Sequence, residues 1–187
     1  ISRAKYSTDY PCSFMFVASM NPCPCGYYGD PTHRCVCTPG QIQRYMNKIS
    51  GPLLDRIDIQ CEISPVPFQD ISKAAPGEPS AKIRERVIKA REVQAERFKD
   101  YKGIHCNAQM TERMIHQFAE PDEQGIELLR MAMEKLSLSA RAYNRILKVA
   151  RTIADLAGSE QIKPDHIAEA VGYRTLDRGD WAERGHL

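Results

Sequence analysis

The sequence predicts a chain of two parts, a piece of an α/β sheet followed by a bundle of helices. Segment 14–20 is almost continuously apolar, which is typical of a central parallel strand covered on both faces. Prolines are concentrated between residues 65 and 79, as in a linker. Beyond residue 80, apolar residues recur with the spacing of amphipathic helices. These observations define the predicted fold class, α/β plus all-α.

Composition places the chain among ordinary globular proteins. Of its 187 residues, 42% are hydrophobic and 27% are charged, and the formal net charge is +2. These values exclude a disordered or collagen-like chain. The longest apolar run, 14–18, is far shorter than the ~20 residues that span a membrane. An odd number of cysteines, seven, and the lack of an apolar leader favour a cytoplasmic protein with no membrane partner.

The first 64 residues are predicted to form the α/β part. A β-ribbon leads into the strand at 14–20, and an irregular insert rich in proline, glycine and cysteine follows at 22–40. A short helix is expected over 41–50. Apolar and polar residues alternate over 57–63, which predicts a second strand nearer the sheet edge. Two strands cannot form a stable covered sheet, so both are expected to belong to a larger one.

The remainder is predicted to be helical. A linker at 65–79 precedes a helical domain at 80–175, and residues 176–187 form a flexible polar tail. Ser80 is expected to cap a helix that reaches about residue 101, with Ile83, Val87, Ala90 and Phe98 on its inner side. Further helices are expected at 111–119, 122–136, 139–157 and 164–171.

Four cysteines in the insert form the sharpest local pattern. Cys23 and Cys25 are one residue apart, as are Cys35 and Cys37, and a loop joins the two pairs. Two close pairs of thiolates suit the tetrahedral coordination of Zn²⁺, although the usual gaps are two to four residues. His33 could replace one thiolate. The pattern predicts a small zinc knuckle, and ordinary reduced thiols or a redox pair are the alternatives.

Phosphate-binding elements are missing from the 187 residues. No segment reads G-x-x-x-x-G-K-[ST], and no apolar strand ends in Asp-Glu. P-loop ATPases hold the nucleotide phosphates and the magnesium ion with such elements. The chain alone is therefore not expected to hydrolyse ATP.

Three segments in a fixed order carry a resemblance to a known family. Residues 21–26 read Asn-Pro-Cys-Pro-Cys-Gly, residues 53–58 read Leu-Leu-Asp-Arg-Ile-Asp, and a later helix begins Ser-Ala-Arg at residue 139. The chain resembles the second half of an AAA+ ATPase of the magnesium-chelatase-subunit-I-like group, in its bacterial YifB/ComM type. This resemblance covers about residues 1–175. It implies the back part of a P-loop NTPase core, a parallel-sheet remnant with the insert, followed by a helical lid.

The resemblance also implies roles for four polar residues. Asn21 resembles sensor 1, which orients the water that attacks the γ-phosphate. Arg56 resembles the arginine finger, which a neighbouring subunit presents to the nucleotide. Arg141, near the start of a lid helix, resembles sensor 2, acting in cis or in trans, and Arg145 one turn later could make the contact instead. The alternatives are a turn cap for Asn21, a local ion pair for Arg56 and a solvated first turn for Arg141.

The N-terminal residues resemble the returning part of a β-hairpin that points into the pore of the ring in this branch of AAA+ proteins. Arg3 and Lys5 are the residues expected near a DNA backbone, because Arg and Lys make most phosphate contacts; two solvated basic residues are the alternative. The family implies ATP and Mg²⁺, bound mainly by a preceding N-terminal half, and a homo-oligomeric, hexameric ring. It also implies ATP-driven remodelling of DNA, as in branch migration.

A non-enzymatic interpretation is the alternative. In it, the zinc knuckle and the helical bundle form a module that binds nucleic acid or protein. Arg56 distinguishes the two interpretations, because a binding module has no use for an arginine that is presented to a triphosphate across a subunit interface.

Overall fold

The computed structural model describes residues 2–3, 5–12, 14–66, 68–72, 77–136 and 138–174. The predicted tail at 176–187 and part of the predicted linker lie outside these ranges. The described residues are mostly helical, with one small two-stranded sheet. None of the helices in these ranges is both long enough and apolar enough to cross a bilayer.

The predicted β-ribbon is present as a hairpin of two very short strands. β1 (Ser2–Arg3) pairs antiparallel with β2 (Tyr6–Ser7). Both strands are exposed to solvent. The hairpin therefore has no packed core of its own among the described residues.

Three short helices follow among the described residues up to 72: α1 (Pro39–Met46), α2 (Gly51–Leu54) and α3 (Phe68–Ser72). Thr38 begins α1 with a capping box, since its hydroxyl accepts from the backbone of Gln41 and the Gln41 side chain accepts from Thr38. α1 confirms the predicted helix over part of 41–50. α1 ends at Met46, and Gly51-Pro52 begins α2, because proline suits the first turn of a helix.

The two predicted strands at 14–20 and 57–63 are not formed among the described residues. Segment 14–20 has no regular secondary structure, and its apolar side chains are exposed, with Met15 at 88% and Val17 at 80%. Segment 57–63 is likewise irregular, and Ile63 is 86% exposed. The reason is physical: a strand of a covered parallel sheet needs hydrogen-bonding partners on neighbouring strands, and the described residues provide none for either segment. The parallel-sheet remnant is therefore not part of the described structure.

Within the described residues 77–136 and 138–174, five helices occur in the order predicted: α4 (Ser80–Arg97), α5 (Glu112–Phe118), α6 (Glu123–Leu136), α7 (Ala140–Leu156) and α8 (Pro164–Gly172). A 3-10 turn at Asn107–Gln109 joins α4 to α5. The core lies along α7, whose Ile146, Ala150 and Ala154 are fully buried. Ser139 caps α7 by accepting a hydrogen bond from the backbone of Ala142 at 3.2 Å.

The details of α4 differ from the prediction. Pro79, not Ser80, is the residue at the N-cap, and no side chain caps this helix. Ala90 and Phe98 are buried as predicted, but Ile83 and Val87 are 42% and 46% exposed. Only the C-terminal half of α4 packs on the bundle, so the apolar residues of its first half have no surface to cover among the described residues.

A buried polar network fixes α4 to α7. The carboxylate of Asp155 accepts hydrogen bonds from Arg97 at 2.5 and 2.8 Å, from Asn107 at 2.8 Å and from Arg151 at 3.0 Å. Burial would raise the pKa of Asp155, but the hydrogen bonds from Arg97 and Asn107 and the charge of Arg151 outweigh it and lower this pKa. The paired carboxylate of Asp155 therefore stays ionised and holds α4 against α7.

Candidate functional site

The four cysteines of the insert lie together in a compact cluster. Their Sγ atoms are all within 4.8 Å of one another, and Cys23 is fully buried. The Sγ of Cys23 lies 3.3 Å from that of Cys25 and 3.7 Å from that of Cys35, and the last two are 3.5 Å apart. All four are free thiols rather than disulfides. The structure thus brings together two pairs that are separate in sequence.

Tight turns and α1 position this cluster. The backbone N–H of Gly26 donates to the carbonyl of Cys23 at 3.0 Å, and Gly26 has a φ of 87°, which favours glycine. The second pair of cysteines directly precedes the capping box of α1. Ile42 and Met46 on α1 are buried against the cysteines and form a small core with them. This apolar cap shields one side of the sulfurs from water.

The surroundings of the cluster shift the pKa values of its thiols in opposite directions. Backbone N–H groups, first that of Tyr27, lower the pKa of Cys25 to about 6. The N–H of Cys37 favours a thiolate at Cys35, but burial and the adjacent sulfurs outweigh it and raise the pKa of Cys35 to about 12. Burial, followed by the adjacent sulfurs, also raises the pKa of Cys37. The protein thus favours a thiolate at Cys25, and four adjacent thiolates would need a cation among them.

A zinc ion fits this donor set. Zn–S bonds of ~2.3 Å in a tetrahedron place sulfurs about 3.8 Å apart, close to the separations in the cluster. His33 belongs to a different group: its Nδ1 lies 2.8 Å from the Thr32 hydroxyl and 3.5 Å from a carboxylate oxygen of Asp30. The alternative in which His33 replaces a cysteine is therefore wrong for the described cluster. Four protein ligands would leave no open position, so such a site would be structural rather than catalytic.

Arg56 lies in a second feature, the anchored segment, which we define as residues 55–60. The Arg56 side chain is exposed, and its Nη1 donates to the carbonyl of Pro52 at 2.6 Å. Neighbouring residues are tied to the helical part: the Ser139 hydroxyl donates to Asp55 at 3.2 Å, and Arg145 pairs with Asp58. The flanking aspartates thus bind α7 and its cap rather than Arg56, contrary to the local ion pair that the sequence left open.

The two arginines at the start of α7 differ in their surroundings. Arg145 is half-buried and engaged by Asp58. Arg141 is exposed in the first turn, where it has no hydrogen bond or ion pair with another described residue. The N-terminus of α7 therefore carries one engaged arginine and one that is free to meet a ligand.

The remaining predicted site residues lie elsewhere. Asn21 is exposed beside the cysteine cluster, with its Nδ2 about 3.9 Å from where a Cβ on Gly26 would stand. It makes no hydrogen bond to Arg56 or Arg141 within the described ranges. Arg3 lies on β1 and Lys5 at the turn of the hairpin, both exposed.

Sequence reasoning missed two residues that hold the anchored segment. Gln60 is buried. Its backbone N–H donates to the carbonyl of Tyr173 at 2.9 Å, and its side-chain amide donates to the carbonyl of Leu54 at 3.2 Å. Arg174 is 1% exposed, and its guanidinium donates to the carbonyl of Ile57 and, at 3.4 Å, to that of Asp55. No sequence signal marks either residue, because their partners are backbone carbonyls, most of which lie far away in the chain.

Comparisons with known proteins identify the family of the chain. The family described as magnesium chelatase, subunit ChlI, matches residues 1–71, and the family described as its C-terminal part matches residues 77–174. The competence protein ComM of Haemophilus influenzae is 43% identical over 95% of the chain, and the uncharacterized protein YifB of Escherichia coli is 42% identical over the same share. The chain spans about a third of each relative, 34% of its length. The chain therefore belongs to the magnesium chelatase ChlI family and is of the YifB/ComM type.

Proposed function

We propose that this chain is the part of a ring-forming AAA+ ATPase that completes the nucleotide site between neighbouring subunits, in a longer protein that remodels DNA. The observation that carries the proposal is the anchored segment, which presents Arg56 to solvent while both flanking aspartates bind the helical part. ATP and Mg²⁺ are bound mainly by a preceding part with the phosphate-binding loop. In this proposal residues 1–64 belong to the α/β core, 65–79 to a linker and 80–175 to the lid.

Arg56 acts as the arginine finger. A finger must reach across a subunit interface, so its guanidinium has to be exposed while its backbone is held. The exposed side chain and the tethered neighbours of Arg56 support this role. Its bond to the carbonyl of Pro52 is exposed to solvent, so it can be exchanged for bidentate bonds to phosphate oxygens.

Arg141, rather than Arg145, contacts the nucleotide as sensor 2. An arginine in the first turn of a helix adds its charge to that of the helix N-terminus, which favours phosphate. Arg145 is already paired with Asp58, which favours Arg141 as the residue that contacts the nucleotide. Arg145 would instead hold the anchored segment close to the sensor-2 helix.

Asn21 acts as sensor 1 once segment 14–20 is paired with neighbouring strands. The exposed apolar side chains of this segment support such pairing, because a run of this kind is buried in a parallel sheet. Asn21 would then lie at the carboxyl end of a central strand, where α/β proteins place their ligands.

DNA is the substrate in this proposal, in the pore of a hexameric ring. The exposed basic residues Arg3 and Lys5 on the N-terminal hairpin support a contact with the phosphate backbone. The name of the Haemophilus influenzae relative, competence protein, is consistent with a role in DNA handling.

The cysteine cluster binds one structural zinc ion in this proposal. The four sulfur separations and the closed set of ligands support it. The ion would fix the loop that begins directly after Asn21 and would therefore hold one end of the sensor-1 segment.

Hydrolysis assays test the proposed function. A longer protein that carries the phosphate-binding part should hydrolyse ATP, and DNA should stimulate the rate. The 187-residue chain alone should show no turnover, because it has neither the phosphate-binding loop nor an Asp-Glu strand end for the magnesium ion. Turnover by the isolated chain, or a longer protein that is inactive with and without DNA, would contradict the proposal.

A further inference from the structure

Arg174 holds the backbone on both sides of Arg56. Its guanidinium donates to the carbonyl of Asp55, the residue before Arg56, and to that of Ile57, the residue after it. Arg174 itself follows α8, where its backbone N–H donates to the carbonyl of Val171 at 3.0 Å. One buried side chain thus connects the end of the last described helix to the peptide units that flank Arg56.

The neighbouring contacts extend this connection. The carbonyl of Tyr173 accepts the backbone N–H of Gln60 at 2.9 Å, one residue before Arg174 in the chain. On the other side, α7 and its cap bind the carboxylates of Asp55 and Asp58. The anchored segment is therefore held at its backbone by the end of α8 and at its side chains by the start of α7.

This geometry bears on catalysis because a transition-state contact is sensitive to placement. A displacement of ~1 Å at a catalytic group can lower a rate about 10²-fold. Arg56 is exposed, so packing of its own side chain does not fix its position. Its position must come from the backbone on either side, which is what Arg174 binds.

Resting on the proposed role of Arg56, we infer that Arg174 is a positioning residue for the arginine finger and couples the helical lid to the neighbouring nucleotide site. A rotation of the lid moves the end of α8 and, through Arg174, the backbone of the anchored segment. Lid movement in one subunit therefore changes the reach of Arg56 toward the next subunit.

The test uses the longer ATPase with Arg174→Lys, which keeps a buried cation but cannot bind both carbonyls with a planar fork. Amide hydrogen exchange in residues 51–60 should rise about tenfold or more, because the anchored segment opens more often. The turnover rate should fall roughly 10- to 100-fold, with the KM for ATP unchanged. The double variant Arg56→Ala/Arg174→Lys should be no slower than Arg56→Ala alone, because Arg174 acts only through Arg56.

Arg151→Lys is the matched control. Arg151 is also a buried arginine, 3% exposed, that donates to backbone carbonyls, but these belong to Ser159 and Glu160, and its carboxylate partner Asp155 also lies within the bundle. It should loosen that region while leaving exchange in residues 51–60 unchanged, and any loss of turnover should persist in the Arg56→Ala background.

Four results would overturn the inference. Equal amide hydrogen exchange in residues 51–60 of Arg174→Lys and wild type would show that Arg174 does not anchor this segment. A fall in turnover that is equally large with and without Arg56 would give Arg174 a purely structural role. If Arg56→Ala alone left turnover unchanged, the proposed function would fail, and the positioning role of Arg174 would fail with it. A slow Arg56→Ala variant beside a fully active Arg174→Lys variant would instead overturn only the positioning role.

Discussion

Arg56→Ala in the longer ATPase is expected to lower DNA-stimulated ATP hydrolysis about 10³-fold or more while ATP binding is retained. Phosphoryl transfer spreads negative charge over the equatorial oxygens, and a guanidinium stabilises that charge mainly in the transition state. Alanine removes the guanidinium without disturbing the anchored segment, whose tethers belong to other residues. The measurement is steady-state hydrolysis together with the dissociation constant of a fluorescent ATP analogue.

Arg84→Ala is a suitable control for that experiment. Arg84 is an exposed arginine on α4 that is remote in sequence from the anchored segment. Its loss should leave hydrolysis and ATP binding unchanged. An equal, small effect of both substitutions would reduce Arg56 to a surface arginine bonded to the carbonyl of Pro52, and it would weaken the roles proposed for Asn21 and Arg141.

Cys23→Ser is expected to reduce bound zinc from about one ion per chain to a small fraction of that. Structural zinc sites contribute apparent free energies of about 10–16 kcal/mol in small domains, so the loss of one thiolate should also loosen the loop. Cys23 is the fully buried sulfur of the cluster, which makes it the ligand that water can replace least easily. Elemental analysis measures the metal, and amide exchange over residues 22–46 measures the loop.

Cys61→Ser separates the metal effect from the chemistry of cysteine in general. Cys61 is exposed and lies outside the four-cysteine cluster, so zinc content and loop exchange should match the wild type. Wild-type protein prepared in metal-free buffer that contains no zinc, and whose four cluster thiols all titrate freely, would contradict the metal site.

The helical part of the fold could be predicted because its signals are local. The caps and breaks at Ser139, Gly158 and Pro164 lie close to the ends of the helices that they delimit. Apolar spacing along α7 also indicates its buried face, including Ile146 and Ala150. Such features require no knowledge of distant parts of the chain.

Predictions that depend on distant partners were less successful. Segment 14–20 has the composition of a central strand, but whether a strand forms depends on neighbouring strands, and the part of the chain that the structure describes offers none to it. The first half of α4 was expected to bury Ile83 and Val87, yet only its second half meets the bundle. Arg174 could not be found from sequence at all, because its partners are main-chain carbonyls more than a hundred residues earlier.

The candidate metal site lies between these two cases. Spacing alone grouped the four cysteines correctly, and their sulfurs do converge. The spacing left open whether His33 belongs to the metal site. The turn around Asp30 keeps His33 apart from the cysteines, because the Asp30 carboxylate accepts the backbone N–H of Thr32 at 2.7 Å and that of His33 at 3.0 Å. The hydrogen bond from the Thr32 hydroxyl, followed by those from the two backbone N–H groups, lowers the pKa of Asp30 to about 2 and keeps the turn charged and closed.

The most direct test of the central claim, that Arg56 completes the site of a neighbouring subunit, mixes two inactive variants of the longer ATPase. One carries Arg56→Ala, and the other has a phosphate-binding loop that cannot bind ATP. If Arg56 acts in trans, random mixing at equal amounts yields about a quarter of interfaces with both an intact loop and an intact finger. ATP hydrolysis should then recover well above the sum of the two separate variants. A mixture no more active than that sum, with mixed rings demonstrated by co-purification, would contradict the account.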